Sequence, residues 1–148
     1  MEHMLTWLKN WAAGFFLIAT LITCSATAQG ISESQEAAVQ SVISDQILAF
    51  QSRDHNRAFS HAAPSIRGFF KTTDRFIAMV KGGYMPLYDP DSFIFGRNIE
   101  ISGIIHQEVI ATDAAGKQWQ AVYTLQKQAD GSWKITGVKM EPYKGATT

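Results

Sequence analysis

The sequence is short of cysteine, of excess charge and of long apolar runs, and each shortage removes a class of function. Its one cysteine, Cys24, stands close to the N-terminus. A lone thiol builds no internal disulfide framework and no multi-thiolate metal site. Thirteen basic residues are matched by thirteen acidic ones, so the net charge is zero with histidine neutral. Nucleic acid and anionic membrane surfaces both select a clustered positive face, and this balance argues against either partner. There are four prolines, no internal repeat and no low-complexity tract. The one long apolar run, Trp11 to Thr23, has 13 residues, too few to cross a bilayer comfortably.

That run has a role to which its length is suited. Lys9 precedes it, and Ala26-Thr27-Ala28 follows it with the small-x-small pattern that signal peptidase accepts. Residues 1–28 therefore read as a secretory signal cleaved between Ala28 and Gln29, which places the mature protein in the periplasm or outside the cell. The competing reading is a lipoprotein anchored at Cys24 in the string Leu21-Ile22-Thr23-Cys24; Thr23 is bulkier than the residue such sites usually carry. Cleavage after Ala28 leaves 120 residues, no cysteine nucleophile and room for a single core. The expected division is signal 1–28, lead and helix start 29–38, one domain 39–142, and tail 143–148.

Hydrophobic period then separates the mature chain into halves. Ser32 and Gln35 have capping-box spacing, and Val39, Val42, Ile43, Ile47 and Phe50 recur at helical intervals, predicting a helix to about Ser52. Asp54 is placed to cap a short second helix through Phe59 and His61, which Pro64 ends. Ile66, Phe69 and Phe70 form another apolar turn. Thr73 or Asp74 caps a helix carrying Phe76, Ile77, Met79 and Val80, stopped at Gly82-Gly83. From Ser92 the pattern turns to strands: 92–95, then 99–111 with Gly103 as a bend, then 118–128 with clean alternation. Ala115-Gly116 marks one turn, and Asp130-Gly131 predicts a hairpin with a type I′ turn. Trp119, Tyr123, Leu125, Trp133 and Ile135 are expected to face the helices, and truncating Trp133 to cost about 3–5 kcal/mol. Helices followed by a meander define an α+β domain with helices on one sheet face.

Gln46-Ile47-x-Ala49-Phe50, Asp54, Ala58-Phe59, Ala63-Pro64-x-Ile66 and Phe76-x-x-Met79-Val80 occur in that order. They are followed by Tyr84-x-Pro86-x-Tyr88-x-Pro90 and Asp130-Gly131-x-Trp133-x-Ile135-x-Gly137. Over residues 39–140 this series resembles a bacterial family labelled domain of unknown function 4864. The resemblance implies a fold similar to the nuclear transport factor two and ketosteroid isomerase superfamily, in which helices pack into a curved sheet around a cone-shaped cavity. It implies no activity, because that fold serves enzymes, binding modules and dimerisation domains alike.

Few residues invite chemistry. His55 and His61 are six apart, matching no usual metal spacing. His106 stands in phase with Glu108 on one strand, either an acid/base couple inside the cone or a polar pair on the outer sheet face. Asp45 falls off the apolar stripe and is expected to face water. Asp54 and Asp74 fall at helix starts, and Asp89, Asp91, Asp113 and Asp130 in turns. Gln46, by contrast, lies within the apolar stripe of the first helix, where a neutral amide either bonds nearby backbone or points into a polar cavity. Tyr84 and Tyr88 share the proline-stiffened stretch 83–91 and form either a ligand grip at the cavity mouth or a packed corner. The reading is a periplasmic or secreted module that binds a small molecule or protein. It takes no metal, cofactor or nucleic acid, and superfamily habit implies a homodimer through the outer sheet face. The alternative is an isomerase, dehydratase or hydrolase using His106 with Glu108, or Gln46, inside the cone.

Overall fold

The computed structural model describes residues 30–145. The expected signal, its cleavage site and Cys24 lie outside the described residues.

Ser32 opens the first helix as its spacing predicts. Its hydroxyl accepts from the Gln35 N–H at 3.3 Å, and the Gln35 side chain accepts from the Ser32 N–H at 3.1 Å. This reciprocal capping launches α1, Glu33–Gln51, which buries Val39, Ile43, Gln46, Ile47, Ala49 and Phe50. Asp54 caps α2, His55–Ser60, through the Arg57 N–H. Pro64 does not end that helix. It opens α3, Pro64–Phe70, in the first turn, where a missing N–H leaves no bond unmade. Thr72, one residue earlier than expected, caps α4, Thr73–Gly83. The stretch expected as a stiff loop holds a further turn of helix, α5, Met85–Tyr88, again with proline in its first turn.

The sheet is an antiparallel meander of β1 (Ser92–Ile101), β2 (Ile104–Thr112), β3 (Gln118–Lys127) and β4 (Trp133–Pro142), in that spatial order. Residues 99–111 are therefore two strands and not one bent strand. Ser102 (φ 51°) and Gly103 (φ 78°) form a two-residue turn with both φ positive, whose twist matches the flanking strands. The Asp130-Gly131 hairpin is present with a different turn. Only Gly131 has positive φ, and the Gln128 N–H donates to the Ser132 carbonyl at 2.7 Å across a three-residue loop. Gly116 plays the same part between Asp113 and Lys117.

Two irregularities bend the sheet. In β1, pairing jumps from Phe95↔Val109 to Asn98↔Gln107, so Gly96 and Arg97 together oppose Glu108. In β4 it jumps from Thr124↔Gly137 to Leu125↔Ile135, leaving Thr136 as the extra residue. Such bulges increase local twist and curl a sheet toward the layer it covers.

The core falls into two clusters. One lies between α1 and the inner sheet face, built on Ile43, Ile47, Ile105, Val109, Tyr123 and Leu125. The other lies among the helices, built on Phe50, Phe59, Phe76, Ile77, Val80 and Tyr88. Trp133 is half-buried and packs against the first cluster. Trp119 belongs to neither: at the strand end its indole N–H donates to Asp113 at 2.9 Å, and the Lys117 ammonium stands 4.0 Å from the ring centre.

Candidate functional site

The two clusters do not close completely on each other, and a cavity of about 110 Å³ occupies their seam. Phe50, Phe76, Val80, Leu87, Tyr123 and Ile135 form its buried walls. Ile66 and Phe70 of α3, Met79 of α4, Tyr84 and Val138 are partly exposed and form its rim. The opening therefore lies between the short helices and β4. The lining is apolar except for three groups.

The first is Gln46, only 4% exposed. Its amide Nε2 donates to the Ala58 carbonyl at 3.1 Å, tying α1 to α2. Of the two expected roles, the bond to nearby backbone is present, and it joins two helices. Among the described residues no donor reaches Oε1, yet no sealed side-chain nitrogen or oxygen lacks a partner. That oxygen consequently opens onto the cavity that Gln46 lines. The second is Tyr84, half-buried at the rim, whose hydroxyl donates to the Val138 carbonyl at 3.1 Å. The third is Tyr123. The ring is 1% exposed, and the hydroxyl has no hydrogen-bond partner among the described residues. By the same reasoning it opens onto the cavity. Burial pushes the Tyr123 phenol up from its ordinary range, so it stays neutral and remains a donor.

The other sequence candidates are elsewhere. Tyr88 is buried in the helical cluster, away from the cavity, with its hydroxyl 2.9 Å from His55 Nε2 and its ring 5.6 Å from Phe50. It does not pair with Tyr84 at the mouth: the Tyr88 ring lies against Phe50 and its hydroxyl meets His55, while the Tyr84 hydroxyl reaches across to β4. His106 and Glu108 alternate with the inward Ile105, Gln107 and Val109, so they stand on the outer sheet face with Arg97, Gln120 and Val122. There Glu108 is a structural clasp. Oε2 accepts from the Arg97 N–H at 3.0 Å and Oε1 from Gln120 at 2.7 Å. Gly96 makes room for it, since a Cβ there would lie 2.6 Å from Oε2. Asp45 is partly exposed, and Arg57 and His61 both bond its carboxylate. Among the described residues no three histidine, cysteine or acidic side chains converge as metal ligands do.

Two buried polar residues escaped the sequence reading. Tyr123 was legible only as core, since alternation reports a face and not whether a hydroxyl finds a partner. Gln107 was findable: it interrupts the inward apolar series of β2. It is 0% exposed, and its Nε2 lies 2.9, 3.2 and 3.4 Å from the carbonyls of Glu108, Gly96 and Arg97.

A helical layer packed into a bent four-stranded meander is the α+β fold of nuclear transport factor 2-like proteins. An NTF-2 like protein of unknown function from Silicibacter pomeroyi DSS-3 is similar in structure, with a TM-score of 0.53 and 19% identity, over 76% of this chain and 100% of that chain. An NTF2-like protein of unknown function from Shewanella baltica OS155 gives 0.49 and 12%, over 77% and 100%. No curated protein matches the chain. The chain belongs to the family described as Domain of unknown function (DUF4864), whose model matches residues 32–148.

Proposed function

We propose that this protein is an exported binding module that holds a small, mainly apolar molecule in the seam cavity. The observation that carries the reading is the Tyr123 hydroxyl, a neutral donor that bonds no described residue and opens onto an otherwise apolar chamber. A cavity left in a core is a loss of stability, and a hydroxyl aimed into it adds nothing to the packing. An open cavity with a free donor at one place marks a site kept for something other than stability. Export rests on Lys9, the apolar run and Ala26-Thr27-Ala28. The rival enzymatic reading loses His106 and Glu108, which stand on the other side of the sheet from the cavity.

Native mass spectrometry of protein isolated from its own host tests both halves. The expected result is a chain beginning at Gln29 that carries a small adduct, absent from Ile66→Trp, where a larger ring obstructs the rim. A chain retaining Met1, or beginning at a lipidated Cys24, refutes the cleavage proposed. A bare chain that also fails to bind any member of a panel of small apolar compounds refutes the binding reading.

A further inference from the structure

We propose that the occupant is a neutral, ring-sized molecule with one hydroxyl or carbonyl oxygen that accepts a hydrogen bond from Tyr123. This rests on the cavity being a binding site and adds the chemistry of what enters it.

Size sets the first limit. At about 110 Å³ the cavity is of the same order as a core cavity of about 150 Å³ that takes one benzene, which points to a single ring. Charge sets the second. Among the described residues no lysine, arginine, histidine, aspartate or glutamate lines the cavity. A carboxylate or ammonium entering it would lose its hydration with no counter-ion to replace it, a penalty that keeps unpaired ions out of such places. The third limit is the polar pair. Tyr123 offers an O–H donor and Gln46 offers Oε1 as acceptor, both opening onto one small apolar chamber. Gln46 cannot turn to present its NH₂ group without abandoning the Ala58 carbonyl. A ligand hydroxyl complements both groups by accepting from one and donating to the other. A ketone complements Tyr123 alone. A hydrocarbon complements neither and leaves the phenol dry.

Calorimetry with cyclohexanol, cyclohexanone, methylcyclohexane and cyclohexanecarboxylate, against wild type, Tyr123→Phe and Ile66→Trp, tests this. Wild type is expected to bind the first three and not the carboxylate. Tyr123→Phe is expected to weaken cyclohexanol and cyclohexanone about tenfold, leave methylcyclohexane unchanged or tighter, and keep the melting temperature. If Tyr123→Phe weakens all three alike, the ring only packs and the oxygen assignment is wrong, while the cavity remains a binding site. Preferred binding of the carboxylate overturns neutrality. If nothing binds wild type, the binding reading falls together with this one. Should Tyr123→Phe fail to fold, the ring-carbon resonance of Tyr123 bearing the hydroxyl decides on wild type. It is expected to move with cyclohexanol and not with methylcyclohexane, and equal movement with both overturns the hydrogen bond.

Discussion

Replacing Gln107 by leucine removes hydrogen bonds while keeping nearly the same volume, which makes it the sharpest probe of how the sheet is bent. In the bulge of β1, the ladder skips Gly96 and Arg97, and their carbonyls turn to Gln107 Nε2 at 3.2 and 3.4 Å. Nε2 also reaches the Glu108 carbonyl at 2.9 Å, while Oε1 receives only a long 3.5 Å contact from Gln40. Leucine leaves these carbonyls without that donor. A buried acceptor stripped of its partner costs about 1–3 kcal/mol. Gly96 and Arg97 are themselves exposed on an edge strand, so water recovers part of the loss. A net cost of about 2 kcal/mol follows, with a fall in melting temperature of roughly 6–10 °C for a domain of this size. Urea unfolding should show a lower midpoint at unchanged slope. Amide exchange should quicken around Arg97 before it does in β3. Gln107→Glu is expected to be worse at neutral pH, because a carboxylate would face carbonyl oxygens with nothing to donate. Its folded pKa would be raised, so stability should recover as pH falls and the acid gains a proton to give. A Gln107→Leu variant within about 0.5 kcal/mol of wild type would refute the idea that this amide holds the bulge.

Trp133→Ala is expected to cost about 2–3 kcal/mol, below the range for a fully enclosed aromatic, because the residue is partly exposed; urea unfolding measures it, and a loss under 1 kcal/mol would detach Trp133 from the core. The Asp113 carboxyl is held below its usual range first by the Trp119 indole N–H and then by the backbone N–H groups of Lys117 and Ala115. A depressed folded pKa contributes stability above the unfolded value, about 4, and loses it as pH falls through the folded value. The difference in urea midpoint between wild type and Asp113→Asn should therefore shrink from neutral pH to pH 3, and a constant difference would show that the carboxylate charge is idle. Ala62→Val adds two methyl groups to the cavity wall at an extended position bridged to Ile135, where a β-branched residue suits the backbone. Thermal melting should show a gain of about 0.5–1 kcal/mol together with weaker ligand binding, and a destabilisation above 1 kcal/mol would mean that the wall is already tight.

The elements most legible in sequence were those specified by local chemistry. Ser32 with Gln35, and Asp54 with Arg57, act within one turn of helix, so spacing alone places them. Alternation in β3 survives because nothing interrupts it. Where the reading erred, a residue served a partner distant in sequence or had two local meanings. Pro64 stops one helix or starts another with equal ease, and only the neighbouring chain decides. Ser102-Gly103 looked like a bend because serine seldom takes positive φ; here it does so to close a two-residue turn. His106 and Glu108 were correctly paired in phase. Which face they occupy depends on Ile105 and Val109 reaching α1, a long-range packing fact. The turn of α5 was disguised as loop by the two prolines, and Tyr84 and Tyr88 part through distant partners, Val138 for one and His55 for the other.

The cavity follows from how α1 is shared. Val39, Ile43 and Ile47 give its stripe to the sheet, while Ala49 and Phe50 give the next turn to the helical cluster. One helix shared between a bent sheet and a helical layer does not press fully into both, and the shortfall appears where the stripe changes partner. Gln46 sits at that changeover. Around it the lining includes Ala62 and Gly137, small residues that leave the seam open. Gly137 is constrained by the sheet itself, since a Cβ there would stand 3.1 Å from the Thr124 hydroxyl. Ala62 borders the open space itself, and phenylalanine would serve the core at 123 as well as tyrosine does. Packing alone would favour a larger residue at the first and a ring without its hydroxyl at the second. Both depart from the packing optimum toward an open chamber with a free donor. Departures that converge on one place are better explained by a ligand than by two unrelated accidents of folding.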